Sequence, residues 1–232
     1  MGRLIKKRGK TTLSGPAGNV DFYSFGGTTY FKSRAKKHKK SKSKSAVAGR
    51  SNFASVVNFA KEIIKVPQLK EIWSHSSLKG RNEFQKLIRY NMLLAHDGNL
   101  TFKNFFTPRG HNLYIPDLSL EEDTLSFTFD VYKMIKPPLR LHMFFYLYNC
   151  KMKNSFDFLI MPKFIDINKD DTKTFRKLGD RKYTINRKFP KDEIEFLSYF
   201  KDVVVLLAVT GSPTIPNRKS WSNTVGFDIP LV

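Results

Sequence analysis

The chain is poor in cysteine, in long apolar runs and in acidic residues near its start, and each shortage excludes something. Its 232 residues include one cysteine, Cys150. That rules out an internal disulfide and a cysteine-built zinc site. No apolar run approaches the roughly 18 residues needed to cross a bilayer as a helix, so no membrane span is expected. The segment Met1 to Lys10 carries basic residues with no apolar stretch behind them. It does not read as a cleaved secretory signal, and Lys6 stands where N-myristoylation needs Ser or Thr. The expected location is cytoplasmic, or inside an assembled particle such as a virion.

Motifs for catalysis and for metals are also missing. Gly9-Lys10-Thr11 resembles the end of a phosphate-binding loop, but Leu4 occupies the position that requires glycine. Asp166, Asn168 and Asp170 have the spacing that opens a calcium loop. Asp171 then replaces the required glycine and Lys177 the required glutamate, so the run reads as an acidic turn. His38, His75, His96, His111 and His142 show no zinc spacing. No Gly-x-Ser-x-Gly or dinucleotide fingerprint occurs. The expectation is a protein that is not an enzyme and needs no cofactor or metal.

What the chain has in excess is positive charge, and the excess is localised. Lys and Arg number 41 against 20 Asp and Glu, a formal net charge of +21. Residues 1 to 50 hold 14 of these cations and a single acid, Asp21, whereas residues 116 to 232 are nearly balanced. One cluster comprises Arg3, Lys6, Lys7, Arg8 and Lys10. A denser one comprises Lys32, Arg34, Lys36, Lys37, Lys39, Lys40, Lys42 and Lys44. Such a run repels itself and has nothing to bury, so alone it is expected to be disordered. Phosphates would neutralise it, and each one neutralised releases a condensed counterion.

The hydrophobic pattern divides the chain at about 50 and 110. Within 1–50, Val20 to Phe31 predicts a β-hairpin turning at Gly26-Gly27, with aromatics Phe22, Tyr23, Phe25 and Tyr30 beside basic flanks. Half of those rings are expected to face a core; those left outside would suit base stacking. In 51–110, a helix is predicted over 51–66, then a short helical turn with Leu69, Ile72 and Trp73. A second helix is predicted over about 78–96, its exposed side carrying Lys79, Arg81, Lys86 and Arg89. The connection is too long for a DNA-reading helix-turn-helix. From 111 to 232 the period changes to two. Leu125, Phe127, Phe129 and Val131 alternate, while Leu139–Tyr148 and Val203–Val209 are apolar on both faces. About seven strands, with a short helix at Asp192–Tyr199, predict an antiparallel β-sandwich of immunoglobulin or fibronectin type within an α+β chain.

The stretches Ser14 to Val20, Phe25 to Arg34 and Gly49 to Ala60 resemble an uncharacterised protein family of Bacteroidetes over about 50 residues. That family is similar in order: a glycine-rich hairpin, a basic linker, paired helices and a β-rich C-terminal domain. The resemblance implies this layout and a bacterial source, and carries over no catalytic residue.

These features point to a non-catalytic nucleic-acid-binding component of a large nucleoprotein assembly. RNA is favoured over duplex DNA because no groove-reading helix is evident. The two clusters, with Lys79, Arg81, Lys86 and Arg89, would grip phosphates, and other subunits would be partners. The alternative is a homopolymeric filament, sheath or virion shell whose N-terminal arm threads into neighbouring subunits. A third, weaker reading is adhesion to an anionic lipid or polysaccharide surface.

Overall fold

The computed structural model describes residues 3–7, 10–17, 20–25, 28–33, 40–121, 123–151, 157–167, 175–178, 181–211 and 220–231. The chain divides into two compact units, Met1–Lys42 and Ser43–Val232.

In the first unit, β1 (Arg3–Lys7), β2 (Lys10–Ala17), β3 (Val20–Phe25) and β4 (Thr28–Ser33) form an antiparallel meander in sequence order. The predicted hairpin is its second half, with Phe25 opposite Thr28. Of the first basic cluster, expected as part of an arm, Arg3, Lys6 and Lys7 lie on β1 and Lys10 begins β2. The register of these two strands runs from Arg3 opposite Ser14 to Lys7 opposite Lys10.

The second unit is α+β and has three layers. It opens with α1 (Lys44–Lys65), α2 (Pro67–Ser74) and α3 (Glu83–Asn91). There follow β5 (Leu113–Tyr114), β6 (Leu118–Glu121), β7 (Thr124–Val131), β8 (Arg140–Tyr148) and β9 (Phe158–Asp166). The chain continues with β10 (Phe175–Lys177), β11 (Lys182–Lys188), α4 (Lys191–Ser198), β12 (Asp202–Thr210) and β13 (Val225–Pro230). One sheet has the order β10-β11-β7-β5, with β6 also on β7; the other has the order β13-β12-β8-β9. Every pairing between these strands is antiparallel.

Side-chain alternation explains the layering. Leu141, Met143, Phe145 and Leu147 of β8, with Val203, Val205, Leu207 and Val209 of β12, join one core. In it they meet Leu125, Phe127, Phe129 and Val131 of β7 and Ile185 of β11. The intervening residues Phe144, Tyr146, Val204, Leu206 and Ala208 point the other way. They share a second core with Val56, Phe59 and Ile63 of α1, Leu69 and Trp73 of α2, and Leu87 of α3. β8 and β12 are thus covered by a sheet on one face and by helices on the other, which is why both read as unbroken apolar runs. The helices share that second core with β8 and β12, and helices and strands lie together in the compact unit Ser43–Val232.

The helix boundaries moved for local reasons. α1 begins seven residues before the predicted start because Ser43 caps it, its hydroxyl accepting from the Ala46 amide at 3.3 Å. Pro67 ends α1 and serves as the first residue of α2. α3 stops at Asn91, short of the predicted end, because the buried Asn91 side chain binds the following loop. Its amide donates to the Phe105 carbonyl at 3.0 Å and its carbonyl accepts from the Phe105 amide at 2.9 Å. Asp97 and Gly98 both have positive φ, 45° and 85°, in a tight turn closed by the His96–Asn99 bridge. Among the described residues no helix is long and apolar enough to cross a membrane.

Candidate nucleic-acid interface

The predicted phosphate-binding residues fall into three groups. Arg3, Lys6 and Lys7 lie on β1 and Lys10 begins β2. Lys32 is exposed on β4, and Lys40, Lys42 and Lys44 are exposed, the last as the first residue of α1. Arg8, Arg34, Lys36, Lys37 and Lys39 lie outside the described residues, as do Asn168, Asp170 and Asp171 of the acidic turn. Asp166, the first residue of that turn, ends β9 and forms a two-bonded ion pair with Arg140, at 2.6 and 3.2 Å.

The third group gathers around α3. The Lys79 amide donates to the Tyr90 hydroxyl at 3.2 Å, and the Arg81 amide donates to the Gln85 side chain at 3.3 Å. Gln85 and Arg89 are one turn apart on the same helix face. Lys79, Arg81 and Arg89 are all exposed.

Lys86 is a correction. It is not on the exposed side of α3 but buried, 9% exposed. Its ammonium donates to the carbonyls of Trp73 (3.1 Å), Ser74 (3.2 Å) and Ser76 (2.8 Å). α2 ends there, leaving carbonyls without helical donors, and a cation satisfies them and the helix dipole together. The chain closes tightly over this lysine. A Cβ on Gly80 would lie 2.6 Å from Lys86 Cγ and 3.0 Å from its backbone nitrogen. Lys86→Met keeps the aliphatic packing and removes the donor. It should lower stability by about 2 kcal/mol in urea unfolding while leaving RNA affinity unchanged. A loss of affinity without loss of stability would return Lys86 to the interface.

The β3–β4 hairpin adds what sequence reasoning did not resolve. All six β4 side chains are exposed. Tyr23 and Tyr30, directly opposite each other, are 48% and 44% exposed; Phe31, absent from the predicted aromatic set, is 74% exposed. Of the four rings expected on the hairpin, Tyr23 and Tyr30 are exposed, Phe22 is half-buried, and the Phe25 side chain lies outside the described residues. The Gly-Gly turn could have predicted the register, but burial depends on what packs against the hairpin.

His142 on β8 is fully buried against Phe106 and Phe164, with Nε2 2.8 Å from the Thr210 hydroxyl. Its Nδ1 has no hydrogen-bond partner among the described residues. Burial lowers its pKa from 6.5 to about 3, the nearby Arg140 adding to the effect and Asp166 opposing it.

No protein-family model matches the chain, and no curated protein matches it.

Proposed function

We propose that the protein is a non-catalytic nucleic-acid-binding structural component of a large nucleoprotein assembly, with RNA as its polyanion. The observation that carries this is the concentration of charge: residues 1–42 hold 12 Lys and Arg and one acid. Charge spread evenly would serve solubility; charge gathered in one unit favours a polymer of phosphates. Arg3 to Lys10 and Lys32 to Lys44 form the main grip, and Lys79, Arg81 and Arg89 of the second unit are further phosphate contacts. RNA is favoured over duplex DNA because residues 75–82 separate α2 from α3, too long for the turn of a groove-reading pair.

The sandwich is, in this reading, a platform for protein contacts, and its type is immunoglobulin-like. With β6, β7, β11 and β10 taken as strands A, B, E and D, one sheet has the order ABED. The other, β9-β8-β12-β13, then becomes C′-C-F-G.

A second reading, a homopolymeric shell or filament, draws support from β4. It is the last strand of its sheet, and an edge strand can template strand addition. The absorbance ratio at 260 and 280 nm of the native particle separates the two. A nucleoprotein should start high and lose the excess, and its integrity, on nuclease treatment. A homopolymer should be protein-like throughout and survive.

A further inference from the structure

We propose that Tyr23 and Tyr30 form a stacking platform for unpaired bases of single-stranded RNA, with Lys32 on the same face holding the adjoining phosphate. The inference rests on the nucleic-acid reading above and names the class of strand that this unit takes. Residues directly opposite in an antiparallel pair share a face. Tyr23 opposes Tyr30, and Lys32 lies two residues beyond Tyr30 on the same side.

The two rings are already stacked, with centroids 5.5 Å apart and planes 20° from parallel. Lys32 Nζ is 5.9 Å from the Tyr23 ring centroid. Phe22 and Phe31 pair on the opposite face, tilted at 49°. The tyrosine face therefore combines flat rings with a cation, and it remains half open to water. A base laid on it would remove ring surface from water without requiring a particular sequence, since every base has a π-face. The Asp21 carboxylate, opposite Lys32, shares this face and opposes a phosphate there, but it is the sole acid of the first 50 residues, and Lys32 begins the run of eight cations that ends at Lys44, so the net charge favours a phosphate chain. A duplex hides its base faces, so the platform selects unpaired strands.

The test compares the intact chain with Y23T/Y30T and Y23F/Y30F by fluorescence anisotropy, using labelled oligouridylate and a duplex RNA. Threonines opposite each other keep the strands and remove the rings; phenylalanines keep both. Y23T/Y30T should bind oligouridylate roughly five- to a hundredfold more weakly, with unchanged duplex affinity and salt dependence. Y23F/Y30F should bind as the intact chain does. Wild-type affinity of Y23T/Y30T for oligouridylate overturns the platform and leaves the phosphate grip standing. So does an equal loss on both RNAs, which would show a disturbed hairpin. Failure of the intact chain to bind either RNA overturns both readings.

Discussion

Raising salt about fourfold should weaken the intact chain's binding to single-stranded RNA about 300-fold, if about six phosphates are neutralised. The reason is counterion release. Each phosphate covered by Lys or Arg frees a condensed cation into bulk, and that entropy gain shrinks as bulk salt rises. For single strands the slope of log affinity against log salt is about 0.7 per phosphate, so six give a slope near four. The first unit has the capacity, with 12 cations against Asp21 alone. Exposed Lys32, Lys40 and Lys42 need no rearrangement to contribute. A shallow slope with retained affinity would mean that stacking or shape, and not charge, supplies the binding.

The second large effect concerns stability against pH. His142 titrates at about 3 in the folded chain because burial disfavours its charged form, against 6.5 for an ordinary histidine. Between those values the unfolded chain holds a proton that the folded chain does not. Stability is therefore complete above about 6.5 and falls as pH drops through this window. The expected loss is about 2 kcal/mol from about pH 7 to about pH 5. His142→Leu removes the titrating group and keeps apolar contact with Phe106 and Phe164. Its unfolding free energy, measured in urea across that range, should lack this part of the acid sensitivity. Parallel profiles for the two proteins would show that His142 is not the group responsible.

The central layers were legible in the sequence because burial writes itself into composition. β7 alternates since only one face meets a core, and β8 and β12 do not alternate since both faces do. β6 and β10 leave no pattern of their own because they are short and sit beside β7 and β11, and their pairing is dictated by those partners. β1 and the start of β2, rich in Lys and Thr, carry no apolar alternation and read only as charge. Lys86 shows a different limit. Its place on a helix follows from the apolar periodicity, but the carbonyls it satisfies lie 10 to 13 residues earlier. Sequence periodicity carries no record of such a tertiary contact. The basic residues of the proposed interface are a list taken from the sequence, and the openness of the Tyr23–Tyr30 face is not legible there, because it belongs to the folded unit.

The most direct measurement compares RNA binding by the intact chain and by residues 43–232. Cutting before Ser43 keeps the cap of α1 and leaves untouched both cores, whose first residues are Val56 and Leu113. The shorter chain should melt as the intact one does and bind single-stranded RNA at least about a hundredfold more weakly, with most of the salt slope gone. Equal affinity and equal slope in the two chains would contradict the account.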